Sequence, residues 1–362
     1  MDRHPAFDSP HTFRDLGGYR TTDGLRVRPG RLYRADSPGD PTKHTADRDR
    51  FPSLSVGTAI DLRTEKPATA LGLIARARSP LAFHCASGND RTDRLAALVL
   101  ALLGVPDDTI VFDCTLTELA GRAPLSDGRI RNEGRSPARP AAARAPESVM
   151  RLFLASLRSR YGSVESYVTT ALGVDAAPLS VALRAHLLEP VPATWPPLTF
   201  RRATPAEAPL LVRLRDTAAL WQLAHGIDQW KPGEKDETHF RDRMESGEVW
   251  LSHTDAVPTG AYELWWSDPA AWGPRPPDAG YVHRLMTTPY TAPPATGRAL
   301  LAHAESRIAA AGRPYARLDC LSSNPRLRAY YEAAGYTVVG EQREKDGGSG
   351  SPYAVTLLEK RL

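Results

Sequence analysis

Four prolines fall within the nine residues Glu189 to Pro197 (EPVPATWPP), and this is the feature that most limits how the chain can fold. Proline fixes φ and donates no backbone hydrogen bond, so such a stretch continues neither a helix nor a central strand. It reads as a linker with patterned sequence on both sides. At 362 residues the chain is also too long for one ordinary core. We therefore expect two domains, 1–190 and 198–362, joined by a linker at 191–197.

Composition narrows the class. Hydrophobic residues make up 41% and charged residues 24%, which suits globular domains and not a disordered chain. The longest apolar run, Leu95 to Val105, contains Gly104 and falls short of the ~20 residues a bilayer requires. Met1 to Pro10 has no apolar signal-peptide core, so we expect a cytoplasmic protein with no membrane partner. Cys85, Cys114 and Cys320 are odd in number, sparse and without a CxxC. That pattern argues against a disulfide framework and against a zinc site, and no metal is expected. The net charge of +4 and pI near 9.0 suit anionic ligands. Nucleic acid, which wants a concentrated basic face interleaved with aromatics, is not expected. Many of the arginines sit in 122–144, a stretch without apolar period that reads as a loop.

In the first half, residues 13–36 alternate turn signals with short strand-like pieces, and Val56 to Leu62 and Pro80 to His84 read as strands. Arg91 to Leu103 reads as a buried helix. Val149 to Leu157, Val164 to Leu172 and Ala182 to Leu188 read as further helices. Between strand and helix lies His84-Cys85-Ala86-Ser87-Gly88-Asn89-Asp90-Arg91-Thr92. Five residues separate Cys85 from Arg91. A loop of that length can close around an anion with its amides pointing inward at a helix N-terminus. The same field favours a thiolate and makes Cys85 a nucleophile. Arg91 offers a planar fork for two phosphate oxygens. Thr92 is placed to hydrogen-bond the sulfur, and Asp90 to protonate a leaving alkoxide.

This string resembles the HCxxGxDRT signature of the atypical bacterial tyrosine phosphatases, a family with dual-specificity and phosphoinositide activity. Phe13 to Arg20 (FRDLGGYR), Arg28 to Asp36 (RPGRLYRAD), Asp61 to Arg63 (DLR) and Tyr161 to Tyr167 (YGSVESY) look like the same family's other blocks. The resemblance spans about residues 10–188. It implies Cys85 as nucleophile, Arg91 as phosphate binder, Asp90 as acid and a phosphorylated substrate. The chain departs from the family in two ways. Asn89 stands where members usually carry lysine and Asp93 where they carry glycine, which removes a cation and adds an anion beside the phosphate. The segment between Arg63 and Pro80 is also much shorter than in the family, with Ala68 to Arg78 its remnant. Three roles stay open for this half: catalysis, including tyrosine phosphatase action as the chain's main activity, phosphate sensing, and scaffolding.

In the second half we expect strands at Leu198 to Arg202, Val249 to Ser252, Gly260 to Trp266, Tyr281 to Met286, Tyr315 to Leu321 and Tyr336 to Val339. Helices are expected from about Pro205, at Thr296 to Ala311 before Gly312, and at Asn324 to Ala334 before Gly335. Asn324 and Tyr331 are seven apart, close to two helical turns, and so face one side. Tyr331 can protonate a departing thiolate, and Asn324 can hold a backbone or pantetheine group.

Together with His283 to Met286 (HRLM), Leu300 to Glu305, Arg317 to Cys320 and Asn324 to Gly335 (NPRLRAYYEAAG), these residues look like the core of the GNAT acetyltransferases. The resemblance covers about 198–362. It implies a mixed, splayed sheet with acetyl-coenzyme A between two parting strands, Leu285 and Met286 on one of them, and the pyrophosphate at a helix start formed by Ala295, Thr296, Gly297 and Arg298. The family's Q/R-x-x-G-x-G/A loop here reads Ala292-Pro293-Pro294-Ala295-Thr296-Gly297, without the leading basic or amide residue. Glu263 and His283 are the candidates for the base, and Trp250, Trp265 and Trp266 for an acceptor pocket. The overall expectation is an α/β protein: a cysteine-phosphatase-like domain followed by a GNAT domain that acetylates a small-molecule or protein amine.

Overall fold

The computed structural model describes residues 13–35, 54–85, 90–120, 146–255, 257–345 and 352–362. The chain divides into two compact units, Met1–Thr194 and Trp195–Leu362. The expected loop at 122–144 and the residues Ala86 to Asn89 lie outside the described residues.

The first unit is built on four short strands, β1 (Arg14–Asp15), β3 (Leu32–Ala35), β4 (Thr58–Asp61) and β5 (Leu81–His84), in the order β1-β3-β5-β4. β5 lies between β3 and β4 and runs parallel to both, while β1 is antiparallel to β3. All four residues of β5 are buried, as expected of a strand covered on both faces. β2 (Leu25–Val27) pairs separately with β6 (Leu188–Pro190), so the first residues of the proline-rich stretch form a strand and the rest follow it. Helices α1 (Pro67–Arg76), α2 (Asp90–Leu102), α3 (Asp107–Ala120), α4 (Pro146–Tyr161), α5 (Val164–Thr170) and α6 (Ala176–Leu187) complete the unit. α2 follows β5 directly and buries Leu95, Ala96, Ala97, Leu98, Val99, Leu100 and Leu102, a surface apolar nearly all round.

The second unit carries one seven-stranded sheet, built from β7 (Thr199–Arg202), β8 (Glu248–Thr254), β9 (Val257–Trp265), β10 (Ala279–Thr287), β11 (Tyr315–Leu321), β12 (Thr337–Lys345) and β13 (Tyr353–Arg361). The order is β12-β13-β11-β10-β9-β8-β7. β13 was not foreseen from sequence, and it sits between β12 and β11, antiparallel to both. The helices are α7 (Ala208–Ala224), α8 (Glu237–Ser246), α9 (Pro269–Trp272), α10 (Thr296–Ala310) and α11 (Pro325–Glu332). α10 buries Leu300, Leu301, Ala304 and Ile308 against the sheet. Its close seating requires Gly280, because a Cβ there would lie 2.4 Å from Ile308.

Two details of β10 set up a cleft. Its parallel pairing with β11 lasts only from Ala279 to Val282, opposite Tyr315 to Leu318, and then the strands part. On the other edge, its register with β9 shifts between His283 and Met286. Arg284 lies in that bulge with φ of 46°, a left-handed conformation that costs a non-glycine residue ~1–2 kcal/mol.

Candidate active sites

In the first unit, β5 delivers Cys85 to the start of α2. The thiol side chain is buried, and the Thr92 hydroxyl, itself fully buried, donates to Cys85 Sγ at 3.1 Å. The structure thus joins two of the expected residues directly. The other two are held by neighbours. Arg91 donates from Nη1 to the carbonyls of Leu62 at 2.8 Å and Arg63 at 3.2 Å. Asp90 pairs with Arg94 at 2.7 Å, both largely exposed. To act on a phosphate, Arg91 must exchange those carbonyls for phosphate oxygens, and Asp90 must leave Arg94. Asp61 grips Arg63 through Nε and Nη2 at 2.9 and 2.6 Å, and this hydrogen bonding, more than any other influence, holds the Asp61 carboxyl down at about 2.

Asp93 corrects a sequence expectation. It does not stand as a loose anion beside the phosphate. Arg34 donates to its carboxylate, and Thr117 adds a hydrogen bond at 3.3 Å. Arg34 also donates to Asp113 at 2.9 Å, and Arg14 reaches Asp113 at 3.1 and 3.2 Å. Tyr19 donates its hydroxyl to Asp113 at 2.8 Å. Two arginines, each 1% exposed, are therefore matched by two aspartates, Asp93 on α2 and Asp113 on α3. Burying such charges is tolerable only with this pairing. Asn89 lies outside the described residues.

In the second unit, the parting of β10 from β11 opens a cleft of about 1260 Å³. Leu285, Met286, Ala295, Thr296, Gly297, Arg298 and Tyr331 all line it. Leu285 has no register partner on either neighbouring strand. The start of α10 faces the cleft, where the amides of Ala295, Gly297 and Arg298 have no hydrogen-bond partner among the described residues. The Thr296 amide and hydroxyl are instead both turned to the Pro293 carbonyl, so this residue closes the turn and offers no donor. Ala295 stands where the resembled loop has glycine, and it keeps the left-handed backbone, with φ of 62°. Gly297 admits the Tyr330 hydroxyl, which a Cβ there would meet at 2.8 Å.

Tyr331 is buried, and that burial pushes its hydroxyl well above the ordinary tyrosine range. Asn324 departs from expectation. It is the N-cap of α11, with Oδ1 accepting from the Leu327 amide at 3.1 Å, and it does not line the cleft.

Of the two base candidates, Glu263 is excluded by its surroundings. It is fully buried, Arg284 donates to it at 2.7 Å and Trp265 Nε1 at 3.0 Å, and His239 lies 3.7 Å away. Burial alone would raise its carboxyl, but Arg284 and His239 outweigh that and hold it at about 2. The folded value is thus below the unfolded one of ~4.3, so this pairing stabilises fully above that pH and loses its effect as pH falls toward 2. Unfolding free energy measured from pH 6 down to 3 is expected to fall less steeply in Glu263→Gln than in the parent chain.

His283 fares differently. It lines the cleft, with Nε2 at 3.1 Å from Asp268 and Nδ1 at 3.8 Å from Asp319, and its ring lies 3.9 Å from that of Trp265. Asp268, His283 and Asp319 bring donor atoms within 4.8 Å of one another, a spacing a cation can bridge, and Lys345 already supplies a positive charge at 2.7 Å from Asp319. Asp268, Asp319, Lys345, Lys235 and Arg243 were not anticipated from sequence. Only Asp268 left a signal, as the residue before Pro269 at a helix start. Trp265 and Trp266 line the cleft and Trp250 does not.

A buried thiol at the end of a parallel strand, with an arginine opening the next helix, is an arrangement compatible with a phosphatase fold. The chain belongs to the tyrosine phosphatase family, whose sequence model matches residues 5–70 and 67–189, together just over half of it. A Cupriavidus necator protein assigned by name to the tyrosine-protein phosphatases is 29% identical over 246 aligned positions, covering 51% of this chain and 88% of the relative. That share of this chain is fewer residues than the aligned positions, so the relative carries residues this chain lacks. The family match passes from its first to its second segment at 67–70, at the start of α1.

The second half is similar to solved acetyltransferases. A GNAT-family acetyltransferase from Listeria monocytogenes is 26% identical, covers 46% of this chain and 95% of its own, and has a TM-score of 0.39. The PaiA N-acetyltransferase of Thermoplasma acidophilum, solved with coenzyme A, is 16% identical with 46% and 99% coverage and a TM-score of 0.36. Among the described residues no helix is long and apolar enough to cross a membrane.

Proposed function

We propose that the second unit transfers acetyl from acetyl-coenzyme A to a primary amine. One observation carries this: β10 parts from β11 after Val282, and the gap holds the unpaired amides of α10 and the buried Tyr331 in one cleft. The amides of Ala295, Gly297 and Arg298 would hold the pyrophosphate, and Arg298 adds a charge beside Tyr330. Acetyl-coenzyme A supplies the activated acetyl thioester. An ammonium acceptor gives one proton to His283 and becomes the nucleophile. The nitrogen–carbon bond forms as the carbon–sulfur bond breaks, and the sulfur takes the phenolic proton of Tyr331. The second proton lost by nitrogen restores the phenol. The test is release of coenzyme A thiol by the full chain, which must depend on an added amine.

For the first unit we propose hydrolysis of phosphomonoesters through a phosphocysteine at Cys85. The Thr92 hydroxyl on the sulfur favours departure of Cys85 from phosphorus, and Asp90 and Arg91 serve as acid and phosphate binder. Hydrolysis of an aryl phosphate is expected to vanish in Cys85→Ser while acetyl transfer continues. Equal hydrolysis by both proteins would overturn the assignment.

A further inference from the structure

The cleft of the second unit carries a charge pattern that narrows the acceptor. One wall is cationic. Lys235, Arg243 and Arg284 all line it. Arg284 is answered by Glu263, but the Arg243 side chain has no hydrogen-bond or ion-pair partner among the described residues. Its guanidinium lies 4.1 Å from the ring centre of Trp265, and its Nε is buried without a partner. Lys235, half-buried, feels Arg284, Arg215 and Arg243, with Glu234 opposing them. The other wall is anionic. Asp268, 3% exposed, and Asp319 flank His283, and Lys345 answers one of the two charges.

Trp265 joins the walls. The Arg243 guanidinium and the His283 ring both lie near its centre, at 4.1 and 3.9 Å, which sets them within the span of one small molecule. Burying the Arg243 Nε without a partner is costly. A ligand anion answers that cost.

We propose that the acceptor is an amine carrying its own anionic group, a carboxylate or a phosphate. The anion sits on Arg243 and Lys235, and the amino group is presented to His283 between Asp268 and Asp319. The proposal rests on the acetyltransfer reading above and names its substrate class.

The experiment follows thiol release from acetyl-coenzyme A by the full chain with two matched pairs: phenylalanine against phenethylamine, and phosphoethanolamine against ethanolamine. In at least one pair the anionic member is expected to have a kcat/KM about tenfold higher or more, the scale of one charge-assisted hydrogen bond. The responding pair distinguishes carboxylate from phosphate. Arg243→Gln is expected to abolish that preference while leaving the KM for acetyl-coenzyme A unchanged. Amines without the anionic group serving as well as their anionic partners in both pairs would overturn the proposal and leave acetyl transfer standing. Transfer to none of the four amines would overturn acetyl transfer as well.

Discussion

A Tyr331→Phe variant is expected to lose acetyl transfer by about 10²-fold or more in kcat, the scale of a positioned general acid. The tyrosine is 7% exposed and its burial keeps the phenol protonated through any ordinary assay pH. It can therefore give a proton to a departing sulfur at neutral pH and regain one from the nitrogen. The change removes one oxygen and leaves the ring to pack against Tyr330 and Tyr336, at 5.4 and 6.1 Å between centres. Affinity for acetyl-coenzyme A should therefore hold. Turnover measured at saturating acetyl-coenzyme A decides the matter, and unchanged kcat would remove Tyr331 from the chemistry.

Asp113→Ala is expected to cost the first unit about 3–5 kcal/mol, because it leaves buried charge without its counter-charge. Arg14 and Arg34 both depend on this carboxylate, as does the Tyr19 hydroxyl. Against a total stability of ~5–15 kcal/mol, that loss unfolds much of the population. Asp93→Ala should cost less, since Arg34 keeps Asp113. Urea unfolding of both variants, followed by a probe in the first unit, tests the order, and equal losses would contradict it.

How far the sequence could be read depended on whether the local pattern and the fold agreed. The passage from β5 through Cys85 into α2 was legible because an apolar strand, a small-residue loop and a helix start follow one another without conflict. The strand Tyr315–Leu321 was found to the residue, and α10 was bounded correctly by Gly312, whose φ is 71°. α3 was not seen. Its Thr-Ile-Val run has the composition of a strand, and only burial of Ile110, Val111, Phe112, Cys114 and Leu116 makes it helical. β13 was missed because its place between β12 and β11 is a matter of topology that no local window contains.

The site divides in the same way. The meeting of Cys85 with Thr92 followed from spacing, whereas the pairing of Tyr331 with the α10 start came only from the GNAT resemblance. The loss of Glu263 as a base followed from neither, because its partner Arg284 reaches it only from inside a bulge with left-handed backbone. Asn324 looked like a cleft residue by its distance from Tyr331, but a cap satisfies α11 first. The cationic wall was illegible because Lys235, Arg243 and Arg284 come from three separate segments.

The ionic cluster at α2 and α3 bears on how this chain can lack residues that a relative carries. Greasy surfaces slide past one another by a fraction of an ångström at little cost, whereas directional bonds between fixed charges hold in a single register. The meeting of the Thr92 hydroxyl with the Cys85 sulfur is thus aligned by that cluster. Residues that the Cupriavidus necator relative carries and this chain lacks could then be absent while the seat of Cys85 keeps its register.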